Sequence, residues 1–188
     1  EMAAREDANA ILRRVMERAA SWFEAQLQQS QEGDIARSYL RERGIRPETV
    51  AQFRLGYAPS DRDALIRVCA EAGIPKQHMI DLGLLIKVDG RDPYSRFRRR
   101  LLFPIRDHRG QVVGFGGRVL PGEPNAEAPK YLNSPETPLF HKGNMLYNLD
   151  LARQSAAKSG RLMVAEGYMD VIAFAQAGYG EAVAPLGT

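Results

Sequence analysis

Two carboxylates, Glu166 and Asp170, stand four residues apart in Glu166-Gly167-Tyr168-Met169-Asp170. Arg161 to Ala165, just before them, is a short apolar run that reads as a strand, and Met169 to Ala177 carries a helical pattern. A glutamate at the carboxyl end of a strand and an aspartate at the start of the next helix lie where open α/β sheets place their ligands. Hard oxygen donors of this kind hold Mg²⁺ or exchange a proton with a reacting hydroxyl. The plainer alternative is an exposed strand end followed by an aspartate that favours a helix N-terminus.

A second group is cationic. From Arg96 to Arg118 there are seven arginines (96, 98, 99, 100, 106, 109 and 118) against one acid, Asp107. That segment carries +6 in a chain of net charge +3, so the remainder sums to −3. Such a cluster is either a phosphate-binding patch or a solvated face. Farther on, Pro129 to Thr137 joins Lys130, Tyr131, Asn133 and Ser134, which suit a nucleotide or build a turn. Phe115-Gly116-Gly117-Arg118 offers backbone that can approach phosphates, although paired glycines more often mark a strand bulge. His78, His108 and His141 have no metal-ligand spacing and read as surface or packing residues.

The elements that must position these groups are legible from periodicity and punctuation. Ile11, Leu12, Val15, Ala19, Trp22, Phe23 and Leu27 recur at helical steps between Arg5 and Ser30, giving an amphipathic helix suited to an arm, a connector or core packing. Asp34 is expected to cap a helix ending near Gly44, and Pro47 to open another running to about Phe53. Ser60 and Asp63 have capping-box spacing before a helix from Ala64 to Ala72, and Pro75 starts one ended by Gly83. Strands are expected at Leu84 to Val88, Leu101 to Ile105 and Val112 to Leu120, with Asp107 to Gly110 turning the second into the third. If Ser95 to Ile105 is extended, Arg96, Arg98 and Arg100 share one face, and Phe97, Leu101, Phe103 and Ile105 share the core face. Asn148 to Ser159 is helical, and Arg161 to Leu186 is a strand, helix, strand unit with parallel strands that needs further strands for stability.

Composition narrows the setting. With 188 residues, 44% of them hydrophobic and 26% charged, the chain can bury a core. Cys69 is the only cysteine, which excludes an internal disulfide and a zinc site built from several cysteines. No apolar run approaches the roughly 20 residues of a membrane span, so a cytoplasmic protein without membrane attachment is expected.

The segments Arg96 to Asp107, Val113 to Arg118, Pro129 to Thr137, Phe140 to Gly143 and Glu166 to Val171, in this order and spacing, closely resemble the catalytic core of bacterial replicative primases of the DnaG type. Resemblance also reaches Ala36 to Gly44 and Phe53 to Pro59, and so covers nearly all of the chain after about residue 34. It implies an α/β fold: an α+β N-terminal subdomain with a basic surface, followed by the first βαβ unit of a TOPRIM fold. The implied division is a connector helix over 1–33, the N-terminal subdomain over 34–159 and an incomplete TOPRIM subdomain over 160–188.

Members of that family are DNA-dependent RNA polymerases that make short RNA primers from NTPs on a single-stranded DNA template. The resemblance makes Glu166 the TOPRIM glutamate and places Asp170 in the same acidic cluster, both as catalytic residues and as ligands of Mg²⁺ or Mn²⁺. It matches Arg96, Arg98, Lys130 and Lys142 to basic positions used for template or nucleotide phosphates. Tyr131 and Asn133 fall in the stretch that contacts nucleotide, and Arg43 extends the basic surface. In such primases zinc belongs to a preceding domain, a following helical domain meets the replicative helicase, and a later TOPRIM strand carries an Asp-x-Asp pair. The 188 residues are therefore expected to be a fragment that binds single-stranded DNA without making primers. Other TOPRIM enzymes, a topoisomerase or nuclease, and a non-catalytic single-strand-binding module are the alternatives; the Arg96 to Lys142 block argues against the first. The Pro121 to Ala128 loop, long and acidic for this pattern, is expected to matter little.

Overall fold

The computed structural model describes residues 2–125 and 127–187. Its centre is an antiparallel four-stranded sheet of β1 (Gly56–Ala58), β4 (Arg100–Arg106), β5 (Val112–Val119) and β6 (Tyr131–Asn133), in the order β1-β4-β5-β6. Asp107 to Gly110 makes the predicted β4–β5 turn, with the Asp107 carboxylate accepting from the backbone N–H groups of Arg109 and Gln111 (2.9 and 3.1 Å). A separate two-stranded ribbon pairs β2 (Leu85–Ile86) with β3 (Tyr94–Ser95).

Helix α1 (Met2–Gln29) lies against this sheet and buries Val15, Met16, Ala19, Phe23 and Leu27. Phe23 meets Phe115 of β5 edge to face at 5.3 Å, and a side chain on Gly56 would come within 2.8 Å of the Phe23 Cβ. Glycine is thus needed at 56 because the helix and strand backbones touch. Four short helices surround the packed end: α2 (Asp34–Glu42), α3 (Pro47–Gln52), α4 (Ala64–Glu71) and α5 (Lys76–Asp81). Pro47 opens α3 as expected, but Gly33 rather than Asp34 occupies the N-cap of α2, and no capping box forms at Asp63. Asp63 donates its backbone N–H to the Asp61 side chain instead.

The second sheet has the order β7-β9-β8, where β7 is Leu146–Tyr147, β8 Met163–Val164 and β9 Ala182–Pro185. β8 and β9 are parallel and joined through α7 (Tyr168–Gln176), while β7 pairs antiparallel with β9. The support that the parallel pair needs therefore comes in part from β7, which leads into α6 (Leu149–Ser159) and carries too little alternation to be seen in sequence. The outcome is the expected α/β architecture, an α+β layer followed by a βαβ unit.

One expectation fails. Arg96, Arg98 and Arg100 do not share a basic strand face, because Arg99 takes a left-handed backbone (φ 51) and the strand begins only at Arg100. β4 is covered on both faces, so Leu101 and Leu102 are both fully buried, and Arg100 is buried with them. Phe103 stacks on Tyr168 of α7 at 4.8 Å, which docks the βαβ unit onto the central sheet.

Candidate nucleic-acid interface

The basic groups are arranged around a row of tyrosines. Arg118, on β5, is only 8% exposed, and its guanidinium lies over Tyr39 of α2 at 5.0 Å and over Tyr131 of β6 at 5.6 Å. Arg43 covers the Tyr39 ring at 5.2 Å, so the α2 C-terminus contributes a second cation to the same row. Tyr131 continues to Tyr168 at 6.0 Å, and Tyr168 stands edge-on to Tyr147 at 4.7 Å. The row forms because β5, β6 and α7 meet at glycines. A side chain on Gly116 would collide with the Tyr168 ring, and one on Gly117 would reach Phe97 at 2.9 Å. The paired glycines are thus neither a bulge nor a phosphate loop; they give the aromatic rings room.

Asn133 ties the row together. Its backbone oxygen accepts from Arg96 Nε and Nη2 (3.2 and 2.9 Å), its Oδ1 accepts from the Tyr168 hydroxyl (2.7 Å), and its Nδ2 donates to the Leu186 carbonyl (3.4 Å). One lone pair and one N–H of that amide are left for a ligand. Burial pushes the Tyr168 hydroxyl up, which keeps it a donor to Asn133. Tyr131 is 38% exposed and offers ring surface to solvent.

Arg100 donates to the backbone oxygens of Gly117 (3.1 Å) and Lys130 (3.4 Å), while the exposed Arg98 lies over Tyr94 at 5.3 Å. Burial lowers the pKa of Arg96, and burial followed by repulsion from Arg96 lowers that of Arg100. Among the described residues, no carboxylate lies within 4 Å of Arg96, Arg98, Arg100, Arg118 or Lys130. Carbonyls and rings fix the four guanidiniums in place without neutralising them, which prepares a surface for an external anion.

Glu166 follows β8 and Asp170 sits in the first turn of α7; both are exposed. A Cβ on Gly167 would stand 3.7 Å from Asp170 Oδ2, so the aspartate carboxylate lies over the turn that links the two acids. Tyr168, between them in sequence, connects this acidic crest to Asn133 and the tyrosine row. Lys142 belongs to another neighbourhood, a 3-10 turn where its backbone N–H donates to Glu136 Oε1 at 2.9 Å.

The structure thus brings Arg43, Arg96, Tyr131 and Asn133 together with Tyr39 and Tyr168, which sequence reasoning did not select, and with Arg118, which it marked only as part of the arginine cluster and the glycine motif. Signals for two were present: Arg118 closes the glycine motif, and Tyr168 lies between the acids. The Pro121 to Ala128 loop also matters more than expected, because its Glu123 is buried and accepts from the Tyr57 hydroxyl at 2.7 Å.

Comparison with known proteins bears on the whole arrangement. Residues 22–153 match the family described as DNA primase catalytic core, N-terminal domain, and residues 160–188 match the Toprim domain. The chain is 46% identical over 177 residues to the DNA primase of Escherichia coli strain K12, covering 94% of this chain and 30% of that protein. It is 50% identical over 155 residues to the Deinococcus radiodurans DNA primase, covering 81% and 26%. Among solved structures, the DnaG primase catalytic domain bound to ssDNA superposes with a TM-score of 0.85 at 45% identity, over 99% of this chain and 56% of that one. The RNA polymerase domain of Mycobacterium tuberculosis primase DnaG gives 0.88 at 38% identity, over 95% and 57%. The chain spans about 30% or less of the length of these curated relatives. Buried arginines without acids, the tyrosine row and the acidic crest thus occur in a chain that belongs to the DNA primase catalytic-core family.

Proposed function

We propose that this chain forms the template-holding part of a primase core, a DNA-dependent RNA polymerase that makes RNA primers from NTPs on single-stranded DNA. The observation that carries the reading is the set of partly buried guanidiniums held by carbonyls and tyrosine rings with no carboxylate beside them. Arg96 and Arg98 hold template phosphates, Arg118 and Arg43 extend that track, and Lys130 and Lys142 hold phosphates of template or nucleotide. Tyr131 offers its exposed face to a base, with Asn133 beside it.

Glu166 and Asp170 fit a hard divalent cation in donor type, and both are exposed at one end of β8. Among the described residues no group of three or more His, Cys, Asp or Glu side chains is placed to hold a metal, so the pair is a partial ligand set. Glu166 and Asp170 would help to hold Mg²⁺ or Mn²⁺, which would supply the positive charge that phosphoryl transfer from a nucleoside triphosphate needs. The 188 residues alone are therefore proposed to bind single-stranded DNA without detectable template-directed incorporation. In the whole primase the reading includes a zinc-binding domain, contact with the replicative helicase and work in the cytoplasm at the replication fork. Among the described residues no helix is long and apolar enough to cross a membrane.

The test is a fluorescence-anisotropy titration of a labelled single-stranded oligonucleotide at two salt concentrations. The Arg96→Ala/Arg98→Ala variant should bind at least about tenfold more weakly, with the log–log salt slope reduced by about 1.4, the value for two lost phosphate contacts on a single strand. Equal binding by both proteins would sink the assignment.

A further inference from the structure

Glu123 lies in the loop between β5 and β6, yet its carboxylate points inward, and the residue is 6% exposed. Its Oε1 accepts from the Tyr57 hydroxyl of β1 at 2.7 Å, and its Oε2 faces Arg99 Nη1 at 3.4 Å. A buried carboxylate is unfavourable unless its bonds are met, and here one neutral and one charged donor meet them. Tyr57 itself is 1% exposed, and burial, then the neighbouring carboxylate, push its hydroxyl up, so it remains a donor.

The same loop forms a wall. A cavity of about 400 Å³ lies between Arg96, Arg98, Arg99 and Arg100 on one side and Pro124 and Asn125 on the other. Asn125 Nδ2 also donates to the Arg98 backbone oxygen at 3.2 Å, which fastens the wall to the arginine segment. Among the described residues, Arg99 is the only one of those four arginines with a carboxylate within 4 Å, and that carboxylate is Glu123. Arg99 is also the one held with a left-handed backbone.

We propose that Glu123 is a positioning residue of this cavity: it pins the loop wall to Tyr57 and neutralises Arg99, so that three rather than four guanidiniums without an acid partner line it. The inference rests on the reading of the cavity as part of the single-strand track. It gives the Pro121–Ala128 loop a role in setting both the width and the charge of that track. A carboxylate that only stabilised the fold would affect neither.

The experiment extends the same titration, using a single-stranded oligonucleotide across a salt series, to Glu123→Gln, Tyr57→Phe and Glu123→Gln/Arg99→Ala, with thermal midpoints recorded for each. Glu123→Gln keeps an acceptor for Tyr57 but frees Arg99. It should bind about threefold more tightly at low salt, with the slope steeper by about 0.7, the share of one phosphate contact. The double variant should return to the wild-type slope. Tyr57→Phe keeps the charge but releases the wall, and should bind about threefold more weakly with an unchanged slope. If Glu123→Gln does not fold, Tyr57→Phe decides: unchanged affinity overturns the inference. Wild-type affinity and slope in both single variants, beside a collapse in Arg96→Ala/Arg98→Ala, overturn the inference alone. Binding indifferent to Arg96 and Arg98 overturns the track and the inference together.

Discussion

Arginines around the tyrosine row and arginines around α1 and the β4–β5 turn are the same residue in opposite electrostatic states. In the second region three cations have their acids: Arg13 meets Asp107 at 2.8 Å, Arg54 meets Glu17 and Glu24 at 2.7 and 2.8 Å, and Arg106 meets Asp150 at 3.1 Å. In the first, Arg96, Arg100 and Arg118 are held by carbonyls and aromatic faces, and their charge is left over. Paired guanidiniums add to cohesion, whereas unpaired ones repel each other and weaken the fold they sit in. In the function proposed above, nucleic-acid phosphate supplies the missing anion. On the proposed reading, the arginines assigned to the track differ from Arg13, Arg54 and Arg106 in charge balance, not in their place in a run of arginines.

The sharpest way to break that comparison is to remove an acid from the paired region. Asp150 and Arg106 are nearly closed off from solvent, with side chains 6% and 12% exposed, so Asp150→Ala leaves a buried cation unmatched. Such a change should lower unfolding free energy by about 3 to 5 kcal/mol, measured by urea denaturation, with oligonucleotide affinity of the folded protein unchanged. A comparable loss of affinity would mean that the two arginine sets are not separate.

A medium effect is expected where packing supports the unpaired region. Gly116 faces the Tyr168 ring, so Gly116→Ala must displace a tyrosine stacked on Phe103 and bonded to Asn133. Overpacking of this kind costs about 1 to 3 kcal/mol. Here it should also weaken oligonucleotide binding, because Asn133 anchors Arg96. Stability lost with binding intact would show that the row does not depend on Tyr168.

How far the sequence revealed this pattern varied with the range of the interactions. The helices, the β4–β5 turn and the parallel unit were legible because periodicity, Gly stops and Pro starts act within a few residues. The alternation inferred for Ser95 to Ile105 was not, since one left-handed residue, Arg99, resets the parity and α7 covers the face that would otherwise be solvated. A strand of two residues such as β7 exists through a partner far along the chain and carries no local pattern. The candidate site was legible as cationic and acidic stretches. Which arginines remain unneutralised was not, because the partners lie as far away as Asp150 is from Arg106. The buried role of Glu123 was hidden for the same reason: only the fold sets it beside Tyr57.

The smallest effect comes from pH. Burial pushes the Asp107 carboxyl up, but the backbone N–H groups of Gln111 and Arg109 and the Arg13 guanidinium outweigh it and hold the group below the usual carboxylate range. In Glu17, hydrogen bonding to Arg54 outweighs burial in the same direction. A carboxyl depressed in the folded state contributes stability that is complete above its unfolded value, about 3.9 for Asp and 4.3 for Glu, and is lost as pH falls through the folded value. Unfolding free energy should therefore be flat from neutrality to about pH 5 and decline below about pH 4. Asp107→Asn should remove about 0.5 kcal/mol of that decline, as expected for a solvent-screened pair. The unpaired arginines have no acid to titrate. Binding of an oligo-dT strand, whose bases stay neutral in this range, should hold its affinity over the pH interval in which stability begins to fall, as long as the protein is folded. Parallel loss of binding and stability would mean that carboxylates other than Glu123 contribute to the track.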